Sequence, residues 1–140
     1  MLATAHFGVA TSTPIVATAS VESTTTPVSV PKKTVKEHVN EYFKEDPIMI
    51  KVAWCESRFR QYDKDGNLFR GIVNKSDVGV MQVNTYYHGK TAEKLGLDLS
   101  TLEGNLAYAK RLYEREGTTP WNSSSPCWLN DDKSQVAILK

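Results

Sequence analysis

Glu56 stands in the run Trp54-Cys55-Glu56-Ser57-Arg58-Phe59, directly after the apolar stretch Ile48 to Cys55 and with two aromatic side chains close by in sequence. Desolvation in such a setting disfavours the ionised carboxylate and raises its pKa. A carboxylic acid still protonated near neutral pH can give its proton to a glycosidic oxygen, the step on which glycan cleavage depends. By itself the segment reads more simply as a solvated glutamate at a helix end. The run Ser76-Asp77-Val78-Gly79-Val80-Met81-Gln82-Val83-Asn84 shifts that balance, because small, polar and apolar residues alternate through a tight glycine. A strand of this kind can line a sugar groove with Gln82 and Asn84.

Two other chemistries are weaker. Asp63-Lys64-Asp65-Gly66 invites a calcium-loop reading, but with that glycine at the sixth position the first ligand would be Gln61 and the twelfth Ile72, so the EF-hand pattern fails. Two cysteines, Cys55 and Cys127, are too few for a structural zinc site and too far apart for a CxxC redox pair. They are either one disulfide or two free thiols. A bridge would close a loop of about 70 residues and persist only in an oxidising compartment.

Several elements must position these residues. Thr34-Val35-Lys36-Glu37 is a capping box, and Val35, Val39, Tyr42 and Phe43 recur at helical spacing, predicting a first helix that ends near Asp46. Asp46-Pro47 then reads as an N-cap with proline in the first turn of a second, largely buried helix, which delivers Glu56 at its C-terminal end. From Phe59 to Val73 the period changes to roughly two around Asp65-Gly66-Asn67, the composition of a β-hairpin. Ser100-Thr101-Leu102-Glu103 reads as another capping box, after which Leu102, Leu106, Ala109 and Tyr113 mark one face of a long core helix ended by Gly117. Pro120-Trp121-Asn122-Ser123 and Cys127-Trp128 follow, then a polar tail with an apolar pulse at Val136, Ile138 and Leu139.

With 140 residues, 40% apolar and 24% charged, the chain has room for one globular domain and a tail. Residues 1–31 are dominated by Ala, Thr, Ser, Val and Pro with Glu22 the only charge, and are expected to be a flexible segment rather than an edge strand through Val28 and Val30. The domain is expected over residues 32–140. A formal net charge of +1 gives no sign of a nucleic-acid binder, and no apolar run approaches the roughly 20 residues of a membrane-spanning helix.

Glu56-Ser57-Arg58-Phe59 followed by Gly79-Val80-Met81-Gln82 resembles the lysozyme-like superfamily, especially lytic transglycosylases of the soluble lytic type and resuscitation-promoting factors. The likeness covers about residues 45 to 128 and rests on several ordered pieces. It implies a mainly α (α+β) lysozyme-like fold and cleavage of the β-1,4 bond between N-acetylmuramic acid and N-acetylglucosamine in peptidoglycan. By the resemblance Glu56 is the general acid, Ser57 supports its loop, Ser76 matches the serine before the glycine, Met81 and Gln82 line the groove, and Asn105 matches the asparagine that begins the following helix. The string Ser76 to Asn84 also resembles animal-type lysozymes, in which the residue matching Asp77 stabilises or attacks the sugar cation; otherwise Asp77 is a solvent-facing turn residue.

Soluble lytic transglycosylases carry Ala-Tyr-Asn after the long helix, whereas this chain reads Thr119-Pro120-Trp121-Asn122, so their glutamate-contacting tyrosine is missing. Trp121 then becomes a candidate groove residue, and Tyr108 can approach from the core helix, although packing is its simpler role. In resuscitation-promoting factors a cysteine before the glutamate pairs with one after a downstream tryptophan, an arrangement that Cys55 and Cys127 fit. The cation is trapped by the muramic 6-hydroxyl, as in a transglycosylase, or by water, as in a lysozyme; neither route needs a metal or organic cofactor. The expected partner is the peptidoglycan strand, the expected state a monomer, and the expected place the cell envelope or the outside of the cell. The first 31 residues lack the Lys or Arg that opens a signal peptide, so either a signal lies upstream or export is wrong. Two rivals remain: a glycan-binding module without turnover, and a small secreted disulfide domain that binds a protein.

Overall fold

Thr34 starts the first helix by the expected exchange of bonds: its hydroxyl accepts from the Glu37 N–H at 3.2 Å while the Glu37 carboxylate accepts from the Thr34 N–H at 2.6 Å. These atoms come from a computed structural model that describes Gly8 and residues 32–130. The expected flexible segment, apart from Gly8, and the apolar pulse at Val136, Ile138 and Leu139 lie outside the described residues, as do Val28 and Val30. Helix α1 (Val35–Tyr42) stops short of the predicted end near Asp46. Phe43, fully buried, leaves the helix, and Asp46 is held outside helical geometry (φ −127°, ψ 65°) by the proline that follows it.

Helix α2 (Pro47–Ser57) has proline in its first turn, as predicted, but Asp46 makes no side-chain cap. Its carboxylate instead accepts from Lys110 Nζ at 2.5 Å. Met49, Val52 and Ala53 are fully buried and Ile50 nearly so, because α2 is apolar on several sides and packs against α1, α5 and the 3-10 turn described below. Helix α2 ends where Arg58 turns left-handed at φ 57°, followed by Phe59 at φ 59°.

The predicted hairpin from Phe59 to Val73 is reduced to a turn and a single bridge, Tyr62 with Leu68. Asp63 Oδ1 accepts from both the Asp65 and the Asn67 N–H at 2.9 Å, so the carboxylates that mimic a calcium loop cap their own turn. The two-stranded antiparallel sheet lies downstream: β1 (Asp77–Val78) pairs with β2 (Val83–Asn84) in the register Asp77 to Asn84 and Val78 to Val83. Pairing stops there because side chains take the backbone groups between the strands: Gln61 Oε1 accepts from Val80 N–H at 2.9 Å and Asn105 Oδ1 from Met81 N–H at 2.9 Å.

Helix α3 (Thr85–Lys94) has no counterpart in the sequence reading. Asn84 caps it, accepting from the N–H groups of Tyr86 and Tyr87, but Ala92 is its only buried residue and it shows no apolar stripe. Helix α4 (Leu102–Glu116) ends at Gly117 as expected. Its cap is shifted from the predicted box: Thr101, not Ser100, accepts from the Gly104 N–H at 3.0 Å, while Ser100 donates to Asp98 Oδ1. Residue 104 has to be glycine, since a Cβ there would fall 2.0 Å from the Asp98 carbonyl oxygen. A 3-10 turn (Thr119–Ser124) leads into α5 (Ser125–Trp128).

The result is mainly helical, five helices with one small antiparallel sheet among the described residues, and its core is built from α1, α2, α4 and the segment Val78–Val83. No helix among the described residues is long and apolar enough to cross a membrane.

Candidate active site

Glu56 occupies the last turn of α2, half-buried, next to a residue fixed by the Cys55–Cys127 disulfide. That bridge, across 72 residues of sequence, joins the end of α2 to α5. It also brings up the 3-10 turn, from which Ser124 Oγ donates to Glu56 Oε1 at 2.5 Å. Ser124 is itself held from two sides. Its oxygen accepts from Trp128 Nε1 at 3.1 Å, and its proton has a second acceptor in the Trp121 carbonyl at 3.0 Å. A hydroxyl has one proton, so Ser124 serves the carboxylate when Glu56 is ionised and can turn to the carbonyl when Glu56 carries its own proton.

Burial pushes the Glu56 carboxyl above the ordinary carboxylate range; the Ser124 hydrogen bond opposes this and the negative charge of Asp77 adds to it. Asp77, half-buried on β1, therefore lies within electrostatic reach of Glu56. Its Oδ1 accepts from Asn84 Nδ2 at 2.6 Å, across the register pair of the small sheet. Two recesses, of about 360 and 390 Å³, meet along Glu56, Asn74, Asp77, Gln82 and Ser123. Together they form one cleft, with Tyr87, His88, Glu116 and Trp121 on one arm and Arg58, Arg60, Ile72 and Val73 on the other. A further hollow of about 500 Å³, beside Leu97 and Leu99, contains neither carboxylate, so volume alone does not locate the chemistry. Among the described residues no group of three or more His, Cys, Asp or Glu is placed to hold a metal ion.

The residues singled out from sequence divide into those in the cleft and those beneath it. Gln82 and Asn84 line it, as the alternation predicts, and Gln82 does so at φ 50° with its amide donating to the Gly79 carbonyl at 2.8 Å. Trp121 shows the cleft an edge and is otherwise buried, its Nε1 donating to the Met81 carbonyl at 2.8 Å. Met81 corrects its assigned role as a lining residue, because its side chain is 0% exposed and packs in the core. Asn105 is equally buried; besides accepting from Met81 it donates to the carbonyls of Val78 and Leu99, so it holds the floor rather than sugar. Tyr108 is also buried, with its hydroxyl against His88 Nδ1 at 3.2 Å, and meets the cleft only through that histidine.

Ser57 is a floor residue too. Its hydroxyl meets the Val80 carbonyl at 2.8 Å and accepts from the Arg60 N–H at 3.0 Å, tying the end of α2 to the strand segment below it. Ser76 acts through its backbone, its carbonyl accepting from Thr85 N–H at 2.8 Å to seat the start of α3. Gly79 lies between the two buried amides: at φ 72°, a Cβ would come 2.5 Å from Asn105 Nδ2 and 2.6 Å from Gln61 Oε1. Only glycine allows both amides to grip the loop that carries Gln82.

Sequence reasoning missed Ser124, Asn74, Tyr87 and the two arginines. The run Ser123-Ser124-Ser125 offered no ground for choosing one hydroxyl, and Tyr87 follows from an unpredicted helix, although Asn84 as its cap was a usable signal. Arg58, Phe59 and Gln82 are the non-glycine residues at positive φ among those described, and Arg58 and Gln82 line the cleft. Positive φ costs a non-glycine residue about 1–2 kcal/mol, and at Arg58 it serves as the left-handed C-cap that ends α2. Protein-family models, curated proteins and solved structures were all compared with the chain, and none matches it.

Proposed function

We propose that this protein cleaves the β-1,4 bond between N-acetylmuramic acid and N-acetylglucosamine in peptidoglycan, on a lysozyme-like domain, with Glu56 as general acid. The observation that carries this reading is a half-buried glutamate, its carboxyl raised by burial and by a neighbouring aspartate, opening into a cleft that also bears that aspartate. A raised carboxyl keeps its proton to a higher pH and can pass it to the glycosidic oxygen as the bond to the muramic C1 breaks. The oxocarbenium ion that forms faces Asp77. In the transglycosylase route the muramic 6-hydroxyl adds to C1 and returns its proton to the Glu56 carboxylate, giving a 1,6-anhydro end.

The hydrolytic route, with water adding to C1, is favoured by one observation: Asp77 shares the cleft with Glu56 and is oriented by Asn84, as a second carboxylate of a glycosidase must be. An anhydro end and a reducing end differ by one water, so mass analysis of one digest separates the routes. The disulfide fits a protein that works outside the cytoplasm, where peptidoglycan lies. Turbidity of a purified cell-wall suspension tests the proposal: the protein should clear it and Glu56→Gln should not. A suspension left turbid by the folded parent protein would overturn the reading.

A further inference from the structure

The two arms of the cleft differ in charge. No Lys or Arg lines the arm that holds Tyr87, His88 and Glu116, whereas the other arm has Arg58 and Arg60. Both guanidinium groups are already oriented. Arg60 stacks on Phe69, its Cζ 4.1 Å from the ring centre, and its Nε donates to the Ser57 carbonyl at 2.7 Å. Arg58 lies over Trp54 at 4.6 Å and donates from Nη1 to the Trp54 carbonyl at 2.8 Å. Among the described residues neither has a carboxylate partner.

We infer that Arg60, assisted by Arg58, binds a carboxylate of the peptide carried on the muramic lactyl group, so that this arm of the cleft recognises peptide-bearing glycan with free acidic groups. The inference rests on the peptidoglycan reading of the cleft. Arg60, fixed by a ring face and through Nε, has both terminal nitrogens to offer as a planar fork that matches a carboxylate, whereas Arg58, held through Nη1, has Nη2 to add. Orientation before binding lowers the entropy lost when the pair forms. The exposed side chains of Ile72 and Val73 edge the same arm, where they can cover the aliphatic carbons of a short peptide. On the far arm the acidic Glu116 would repel such a group, which gives the bound strand a direction.

Calorimetric titration of the full chain carrying Glu56→Gln, so that no ligand is cut, tests this. The two ligands are a muropeptide with free carboxylates and the same molecule with those carboxylates converted to carboxamides. Because the two ligands share size and shape and differ in the charge and acceptor capacity of the same groups, the comparison needs no arginine variant to fold. The free acid should bind about tenfold more tightly, the scale of one charge-assisted contact. Adding Arg58→Gln and Arg60→Gln should bring the two affinities to within about twofold. Equal binding of both ligands before the arginines are changed, no binding of either, or a difference that survives both substitutions would each overturn the inference. The wider reading is judged separately: a parent protein that clears cell walls but ignores carboxylate charge loses only the role of the arginines.

Discussion

Glu56 and Asp77 reach the same cleft on unlike supports. Glu56 is carried by an apolar eleven-residue helix, next to a disulfide and beneath a turn in which Trp121 and Trp128 fix the serine that touches it. Asp77 stands on a two-residue strand, half-buried, with an asparagine amide from the paired strand as its partner. The first setting withholds water from a carboxyl and so favours a proton donor. The second orients a carboxylate where the two recesses meet, where it could face positive charge in the proposed reaction. Under the proposed function, two groups of one chemical type would take two roles set by their surroundings.

Removing each group in turn should show the difference. Glu56→Gln should lower the cleavage rate by about a thousandfold, the range for loss of a general acid. The same variant sharpens the argument through stability. A carboxyl whose folded pKa is raised above 4.5 contributes stability that is present below the unfolded value and lost as pH rises through the folded value. Glu56→Gln should therefore unfold at the same or a higher temperature than the parent near about pH 8, with the gap closing toward about pH 4. A variant less stable than the parent at alkaline pH would mean that Glu56 serves the fold.

Breaking the support on the Glu56 side is the next largest change. Cys55→Ser with Cys127→Ser should cost about 4 kcal/mol in the chain-entropy account of a 72-residue separation, read from denaturant midpoints. Activity of the fraction that remains folded should fall as well, because the bridge helps bring Ser124 to Glu56. On the other side, Asp77→Asn should slow cleavage by at least about tenfold, and nearer a hundredfold where direct charge stabilisation is worth about 3 kcal/mol. Near-parental rates would leave Glu56 acting alone and favour the transglycosylase route. Ser124→Ala is the smallest change. It removes the one hydrogen bond that holds the Glu56 carboxyl down, so the alkaline limb of the pH–rate profile should move to higher pH, with maximal rates within about tenfold of the parent. A limb that stays in place would deny Ser124 its influence on the acid.

Much of the Glu56 side was legible in the sequence because it follows local rules: a capping box, a proline in the first turn, an apolar run and a glutamate at its end. The Asp77 side was less so. Helix α3 buries too little to leave a period, the expected hairpin shrinks to one bridge and a turn capped by Asp63, and the segment between β1 and β2 is held by side-chain bonds from Gln61 and Asn105, which join residues 19 to 27 positions apart. Met81 shows where the resemblance alone misplaced a side chain. The resemblance put its side chain beside Gln82 in the groove, whereas the structure buries it completely in the core. Ser124 was invisible because its approach depends on the disulfide and a 3-10 turn, neither of which marks one serine among three.

Mass analysis of purified glycan strands digested in parallel by the parent and by Glu56→Gln shows whether Glu56 drives cleavage at the muramic C1. The parent should give fragments that all begin with N-acetylglucosamine and end in a muramic residue, and the folded variant should leave the strands uncut. Fragments cut at the opposite linkage, no fragments from the parent, or equal fragments from both proteins would contradict it.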